Sequence, residues 1–167
     1  MSFPAPAPGF DDPLGMLRAC HDRVLRYARG LAAVARREED TATLVAVHRY
    51  FSTAGRDHHE DEEKDLFPVI LTRGADALVA ELVRQHGALD ALWTTLAPGF
   101  ARPELLYQAL AAPAFAFASL SESHVALENT ELLPLAARLL TKAEIETLGA
   151  RMATRRGVVF RTTHAPM

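Results

Sequence analysis

The sequence has 167 residues, of which 49% are hydrophobic and 23% charged, and its formal net charge is −3. This composition is typical of one globular domain with a sizeable core, and it argues against a disordered chain or a broad nucleic-acid interface. A single cysteine, Cys20, excludes an internal disulfide framework, and we expect it to be a small buried residue.

The N-terminal segment carries neither a basic stretch nor a continuous apolar run, so it does not resemble a secretory signal. Alternating prolines predict a short disordered arm over residues 1–10. No window contains the roughly 18 apolar residues that a membrane-spanning helix needs. We therefore expect a cytoplasmic protein with no nucleic-acid partner and no membrane partner.

Helix signals begin directly after this arm. Asp12 is a suitable N-cap and Pro13 a suitable first residue for helix 1, because proline has no N–H to leave unpaired there. A second helix is predicted over residues 41–71, with Asp40 as its cap and Gly74 just beyond its end.

Two further long helices are predicted over residues 75–97 and 103–140, the first closed by the pair Pro98 and Gly99. Three prolines inside the predicted helices should end or bend them: Pro68, Pro113 and Pro134.

A T-x-x-E capping box at Thr141 and Glu144 predicts a short fifth helix. No segment shows the alternation of a strand. The sequence thus predicts an all-α fold, an up-down four-helix bundle with a short C-terminal fifth helix. The predicted bundle domain covers residues 11–155, followed by a tail over 156–167, and the basic residues from Arg151 onward are assigned no role.

Each of the four long helices carries one histidine on a face that is otherwise suited to the core: His21, His58, His86 and His124. A lone histidine in such a position is usually a core residue with a satisfied side chain. These four are accompanied by two carboxylates, because Glu62 follows His58 and Glu128 follows His124 by four residues. Side chains at this spacing share one helix face, so each pair can offer a nitrogen and an oxygen to the same metal.

The two pairs lie in a repeated segment. Residues 58–68 and 124–134 both read H-x-x-x-E-x-x-x-L-[FL]-P. His59 and Glu63 form a competing pair at the same spacing, but only His58 and Glu62 match the second copy. The repeat therefore favours His58 and Glu62 as the inward pair.

The six residues lie at a similar depth in the predicted bundle, about 12–22 Å from one shared end at 1.5 Å rise per residue. Burying four imidazoles and two carboxylates in an apolar core would be costly without a compensating cation. Nitrogen and carboxylate ligands suit iron, manganese or zinc. Two carboxylates that can each bridge favour two ions over one, since a single zinc needs only four ligands.

At these positions the sequence resembles the hemerythrin-like (HHE) family over about residues 11–140. The first copy resembles the signature of a histidine pair, two glutamates and Leu-Phe-Pro, and the second copy resembles the family's second signature. The resemblance implies two non-haem iron ions, oxo- or hydroxo-bridged, with Glu62 and Glu128 bridging them. It implies six ligands: His21, His58, Glu62, His86, His124 and Glu128.

The sequence departs from oxygen-carrying hemerythrins at Asp90. Those proteins place a fifth histidine four residues after the position that matches His86, and this chain has an aspartate there. Asp90 could ligate a metal, hydrogen bond to a ligand imidazole, or face solvent. The missing imidazole puts reversible oxygen carriage in doubt.

Other residues near the predicted site are less specific. We expect mainly packing roles for four residues: Tyr50, Phe51, Trp93 and His48. Two alternatives stay open, a place near the metals for Tyr50 and a ligand role for His48. A solvated face or a position beside the ligands is expected for His59, Glu60 and Glu63, with contact to a metal left open for His59 and Glu60. His164 is assigned no role.

Three kinds of function fit this pattern. A di-iron centre could bind O₂ or NO for storage, delivery or sensing, or it could reduce or disproportionate peroxide or process NO as an enzyme. A bundle without metal is the third hypothesis. We favour a hemerythrin-like protein that reacts with O₂, peroxide or NO, with reversible O₂ binding or iron storage as the alternative. Its expected partner is a small diatomic or peroxide ligand, and the oligomeric state is not predicted.

Overall fold

The computed structural model describes residues 8–160. The predictions for His164 and for most of the N-terminal arm and C-terminal tail lie outside the described residues, and the domain bounds stay a prediction. Within 8–160 every regular element is a helix. The predicted all-α fold is confirmed: the chain forms an up-down four-helix bundle with a fifth helix. No described helix is long and apolar enough to cross a membrane.

The bundle has four helical legs, formed by residues 13–35, 42–71, 76–101 and 111–139. In the second and fourth legs, a π-helical turn joins α-helical segments. The elements are, in chain order, α1 (Pro13–Ala35); α2 (Ala42–Ser52), α3 (Ala54–Asp61), a first π-helical turn (Glu62–Leu66) and α4 (Phe67–Leu71); α5 (Asp76–Ala101); a 3₁₀ turn (Pro103–Tyr107); α6 (Ala111–Leu127), a second π-helical turn (Glu128–Leu132) and α7 (Leu133–Leu139); and α8 (Lys142–Arg155).

Two of the caps predicted from the sequence are present, whereas the predicted cap Asp40 was wrong: the N-cap residue of α2 is Thr41, which makes no side-chain capping bond. The Asp12 carboxylate accepts a hydrogen bond from the Gly15 N–H at 3.0 Å, which satisfies one of the free donors at the start of α1. Thr141 and Glu144 form the predicted capping box of α8. Gly74 has φ +80°, a conformation that glycine adopts without strain, and it follows the second leg as expected.

The second leg is not the single helix predicted over residues 41–71. It breaks at Thr53, whose backbone has φ −129° and ψ −91°. The Thr53 hydroxyl donates to the Arg49 carbonyl at 2.7 Å, so a side chain takes the place of a helical backbone bond.

Two predictions about prolines were also wrong. Helix α5 continues through Pro98 to Ala101, because proline in the last turn removes only one backbone hydrogen bond. The fourth helix was predicted to open at Pro103, but a 3₁₀ turn occupies Pro103–Tyr107 and α6 begins at Ala111. Pro113 therefore lies in a first turn, where proline displaces no helical bond, and it does not bend the fourth leg.

Pro68 and Pro134 each follow a π-helical turn. The N–H of Phe67 donates to the Glu62 carbonyl, and the N–H of Leu133 donates to the Glu128 carbonyl, which is the i to i−5 pattern of a π-helix. Proline offers no N–H for the next bond and clashes with the carbonyl four residues earlier in a regular α-helix. The wider turn accommodates it, and turns of this kind are frequent at functional sites.

The core consists of two large apolar clusters with a polar layer between them. One cluster contains Leu31, Leu96 and Leu106, and the other contains Leu17, Leu66 and Leu132. Along α1, His21 lies between Leu17 of one cluster and Ala28 of the other. The four legs therefore bury a layer of histidines and carboxylates between two dry regions.

Candidate metal centre

The polar layer contains the six residues predicted as ligands. Their side chains are almost completely buried, with at most 1% of each residue exposed: His21, His58, Glu62, His86, His124 and Glu128. Charged groups are rarely buried to this extent unless they are paired or bind a cation.

The layer divides into two groups of potential ligands. His21 and His58 form one group with Glu62 and Glu128, and each residue offers an atom within 4.8 Å of those of the others. His86 and His124 form a second such group with the same two carboxylates. Glu62 and Glu128 therefore stand between two histidine pairs.

In each carboxylate, one oxygen faces one histidine pair and the other oxygen faces the second pair. In Glu62, Oε1 lies 3.8 Å from His58 Nε2, and Oε2 lies 3.4 Å from His86 Nε2. In Glu128, Oε2 lies 3.0 Å from His21 Nε2, and Oε1 lies 3.2 Å from His124 Nε2. This is the orientation that two bridging carboxylates need.

Hydrogen bonds outside the layer orient the histidine rings. His21 Nδ1 donates to the Asn129 side-chain oxygen at 2.8 Å, and His86 Nδ1 donates to the Glu63 carboxylate at 2.6 Å. A neutral imidazole that donates through Nδ1 keeps a lone pair on Nε2. Both rings thus present Nε2 to the interior of the layer, as ligand histidines do.

His124 is oriented by a relay. Its Nδ1 donates to Gln85 Oε1 at 3.0 Å, and Gln85 Nε2 donates to Glu81 Oε1 at 2.7 Å. The second bond fixes which end of the Gln85 amide faces the histidine. The Nε2 atoms of His86 and His124 then lie only 3.2 Å apart, so a proton or a cation is required at their contact.

Unsatisfied polar atoms in the layer also indicate a metal site. Seven buried side-chain atoms have no hydrogen-bond partner among the described residues: His21 Nε2, both ring nitrogens of His58, and both oxygens of Glu62 and of Glu128. All belong to the predicted ligands. Buried polar atoms are nearly always satisfied, so a concentration of unsatisfied ones implies a ligand that satisfies them.

Burial and close charges shift the pKa values of the side chains in the polar layer. Burial lowers the pKa of His21, but contacts with Glu128 and Glu62 outweigh burial and raise it to about 10. Burial and the neighbouring His21 lower the pKa of His58, while burial and Glu128 raise the pKa of Glu62. Metal ligation needs deprotonated donors, so a cation bound here would displace protons.

His59 lies beside the layer, stacked on His86 with ring centroids 3.9 Å apart and an angle of 14° between the planes. One of its nitrogens lies within 4.8 Å of ligand atoms of His86 and His124. Two parallel rings cannot both aim a lone pair at one ion without rotating. His59 is therefore close enough to reach a metal, but its ring is placed as a wall against His86.

Asp90 is exposed and belongs to none of the potential ligand groups among the described residues. Burial raises the pKa of its carboxyl group, the nearby His86 opposes this shift, and Glu63 adds to it. Of the three roles considered for Asp90, direct ligation has the least support from its position.

The remaining candidates pack elsewhere. The Tyr50 hydroxyl donates to the Cys20 carbonyl at 3.2 Å, and its ring stacks on Tyr27. His48 is exposed and contacts the ring of Phe100 at 4.9 Å between centroids. Cys20 is buried, as expected.

A cavity of about 410 Å³ adjoins the layer on the side of His59. Most of its buried walls are apolar and include Val24, Leu89 and Phe117, and its exposed rim includes Asp90. The ring of His59 separates this cavity from the ligand residues, none of which lines it.

Helix α8 supports the leg that carries Glu62. Arg156 Nη2 donates to Asp61 Oδ2 at 2.6 Å, and Arg155 Nη2 donates to Asp65 Oδ2 at 2.7 Å, while Arg155 also pairs with Asp61. Asp61 is fully buried and adjoins Glu62 in sequence. Basic residues that sequence reasoning left without a role thus tie α8 to the first π-helical turn.

The family model for the hemerythrin HHE cation binding domain matches residues 12–136. The chain belongs to this family. An uncharacterized protein of Haemophilus influenzae is 33% identical over 96 residues, which cover 52% of this chain and 56% of that protein. The chain therefore spans just over half the length of that relative.

The HHE match ends before α8, so the arginines that pair with Asp61 and Asp65 lie outside the matched residues. Sequence reasoning missed these arginines, the Gln85 relay and the ring-orienting role of Asn129. One signal was available: Glu63 and Asn129 each follow the carboxylate of their copy of the repeat, and each accepts a hydrogen bond from a histidine on another leg.

Proposed function

We propose that this protein binds two iron ions and reacts with a small ligand, O₂, peroxide or NO, in a redox or sensing role. One observation carries the proposal: in both Glu62 and Glu128, one carboxylate oxygen faces one histidine pair and the other oxygen faces the second pair. A single tetrahedral ion would use four ligands and would leave two of the six residues without a partner.

In this proposal His21 and His58 would hold one ion and His86 and His124 the other, and Glu62 and Glu128 would supply oxygen ligands to the site. Nitrogen and oxygen donors suit iron, and iron is the metal that the hemerythrin-like resemblance implies. Iron bound there would supply electron transfer and a coordination position for a small ligand. The chain's own contribution is to aim the Nε2 atoms inward through the Nδ1 hydrogen bonds.

The position of Asp90 favours reaction over reversible oxygen carriage. Oxygen-carrying hemerythrins have a fifth histidine at the matching position, whereas Asp90 is an exposed carboxylate near His86. A negative group close to a metal favours its more highly charged oxidation state. This supports a site that oxidises readily, with ligand access from the cavity beside His59.

Metal content is the first test. Elemental analysis of the purified protein should give about two irons per chain. His58→Ala should lower this content, whereas the control His48→Ala, which changes an exposed histidine outside the layer, should leave it intact. A protein without metal, or with one zinc per chain, would refute the di-iron proposal.

The second test addresses the reaction. We expect the reduced, iron-loaded protein to oxidise in air without a spectrum that reverses on removal of O₂, and the oxidised protein to consume added peroxide. Asp90→His should make the O₂-dependent spectrum longer lived, whereas Asp76→His, at an exposed position on the same helix, should not. A fully reversible O₂ spectrum in the unmodified protein would instead favour an O₂-binding function.

A further inference from the structure

The cavity beside His59 is much larger than a diatomic ligand requires. Its volume of about 410 Å³ is more than ten times the roughly 30 Å³ that one water molecule occupies in the liquid. It lies within the range of about 300–1,000 Å³ that is typical of pockets for organic ligands. A passage for O₂ or NO alone would not need this space.

One wall of the cavity is apolar and aromatic. Phe51, Trp93 and Phe117 form a continuous wall, with ring centroids 5.2 Å apart between Phe51 and Trp93 and 5.0 Å apart between Phe51 and Phe117. Val24 and Leu89 add buried aliphatic side chains to this lining. Such walls favour a ligand with an apolar body, above all one that contains a ring.

Two polar groups line the interior. The Ser121 hydroxyl is buried and donates to the Phe117 carbonyl at 2.8 Å, so its oxygen can still accept one hydrogen bond. The His59 imidazole lies against His86 and lines the cavity as well. A ligand with one hydroxyl-like group can therefore hydrogen bond inside without leaving a buried polar atom unpaired.

The charges on the rim select against anions. Three carboxylates, those of Glu60, Glu63 and Asp90, line the cavity together with one guanidinium group, that of Arg56. Glu60 pairs with Lys64 and Arg155, which do not line the cavity, so the negative balance comes from Glu63 and Asp90 against Arg56. An anionic ligand would meet a negative balance at the rim and an apolar interior that cannot solvate its charge.

We propose that this cavity binds an uncharged organic molecule with an apolar, ring-containing body and one hydroxyl-like group. The binding goes beyond the proposed di-iron function and does not depend on it, because no ligand residue of the metal layer lines the cavity. A molecule bound in this way would have its polar group next to His59, at the boundary with the metal layer.

Trp93 makes the proposal measurable, because it is the sole tryptophan of the sequence and part of the aromatic wall. The full-length protein is titrated with 2-phenyl-2-propanol and, separately, with benzoate, while the fluorescence of Trp93 is recorded. We expect a saturable change with the alcohol and at least tenfold weaker binding of the anion. No saturable change with the alcohol, or equal binding of the two probes, would overturn the proposal.

Two pairs of variants localise the binding. Ser121→Leu fills the cavity and should weaken alcohol binding at least tenfold, whereas Ser119→Leu, at an exposed position on the same helix, should not. Asp90→Asn should strengthen benzoate binding relative to the control Asp76→Asn, and this test uses exposed residues and thus does not depend on core packing. Unchanged alcohol binding in a folded Ser121→Leu protein, or unchanged benzoate binding in Asp90→Asn, would place the ligand elsewhere. Elemental analysis of the same samples tests the di-iron proposal independently.

Discussion

The two copies of the repeat, residues 58–68 and 124–134, are the most instructive regions to compare. In both, an α-helix reaches a buried carboxylate, a π-helical turn begins at that carboxylate, and a proline follows the turn. In both, the next residue accepts a hydrogen bond from a histidine on another leg: Glu63 from His86 and Asn129 from His21. The repeated sequence therefore encodes a repeated structure, and each copy orients one histidine of the opposite pair.

The copies differ in what surrounds these shared features. Asp61 and Asp65 of the first copy pair with arginines of α8, while the equivalent positions of the second copy are Leu127 and the exposed Glu131. His59 in the first copy corresponds to Val125 in the second. The features that both copies share lie at the candidate metal centre, whereas the differences set the charge and the support of each side.

The largest expected effect comes from the features that the copies share. Glu62→Ala and Glu128→Ala should each remove an oxygen from both histidine groups, and each should reduce metal affinity more than the 10- to 100-fold typical of losing an outer partner. The matched control is Glu131→Ala, an exposed carboxylate in the same kind of turn. Metal content and competition with a chelator measure the effect. Full metal content in either ligand variant would show that the repeat is structural only.

The next effect concerns the support that only the first copy has. Asp61→Asn should lower the free energy of unfolding by about 2–4 kcal/mol, because it leaves Arg156 without a buried anion and leaves Arg155 with Asp65 as its remaining buried partner. Glu131→Gln in the second copy should change it by less than about 0.5 kcal/mol, as exposed substitutions usually do. Urea denaturation measures both. A loss below about 1 kcal/mol for Asp61→Asn would mean that these pairs behave like ordinary surface ion pairs.

Local sequence patterns were sufficient to predict the helical bundle and to select the candidate ligand residues. The caps at Asp12 and Thr141 depend on neighbouring residues, so the sequence contains their full signal. The break at Thr53 could not be predicted in this way, because a side-chain hydrogen bond competes there with an otherwise helical pattern.

The partners of the candidate ligands were harder to predict because they are distant in sequence. Gln85 meets His124 only through the register of two packed helices, and Arg156 meets Asp61 only after α8 folds back onto the second leg. Neither contact has a periodicity or a motif of its own. The repeat did contain a usable signal for Asn129, because the position that matches Glu63 is defined by the alignment of the two copies.

The smallest expected effects come from exchanging the charges of Glu63 and Asn129, the two residues that accept hydrogen bonds from His86 and His21. Glu63→Ala and Asn129→Ala both remove a hydrogen bond that orients a ring, so each should weaken metal binding about 10- to 100-fold. Glu63→Gln and Asn129→Asp keep an acceptor at the same place and change only its charge. We expect these two variants to change metal affinity by less than about tenfold, measured by the same chelator competition.

The charge exchange should appear instead in the reduction potential of the iron-loaded protein. An anionic acceptor makes its histidine a more electron-rich ligand and favours the oxidised metal, whereas a neutral amide does so less. Glu63→Gln should therefore raise the potential and Asn129→Asp should lower it, and the double variant should return close to the unmodified value if the two sites are equivalent. A double variant that stays above the unmodified value would show that an ion at His86 and His124 governs the redox behaviour, and one that stays below it would indicate an ion at His21 and His58. Equal shifts of the same sign in the two single variants would contradict the assignment of both residues as histidine acceptors.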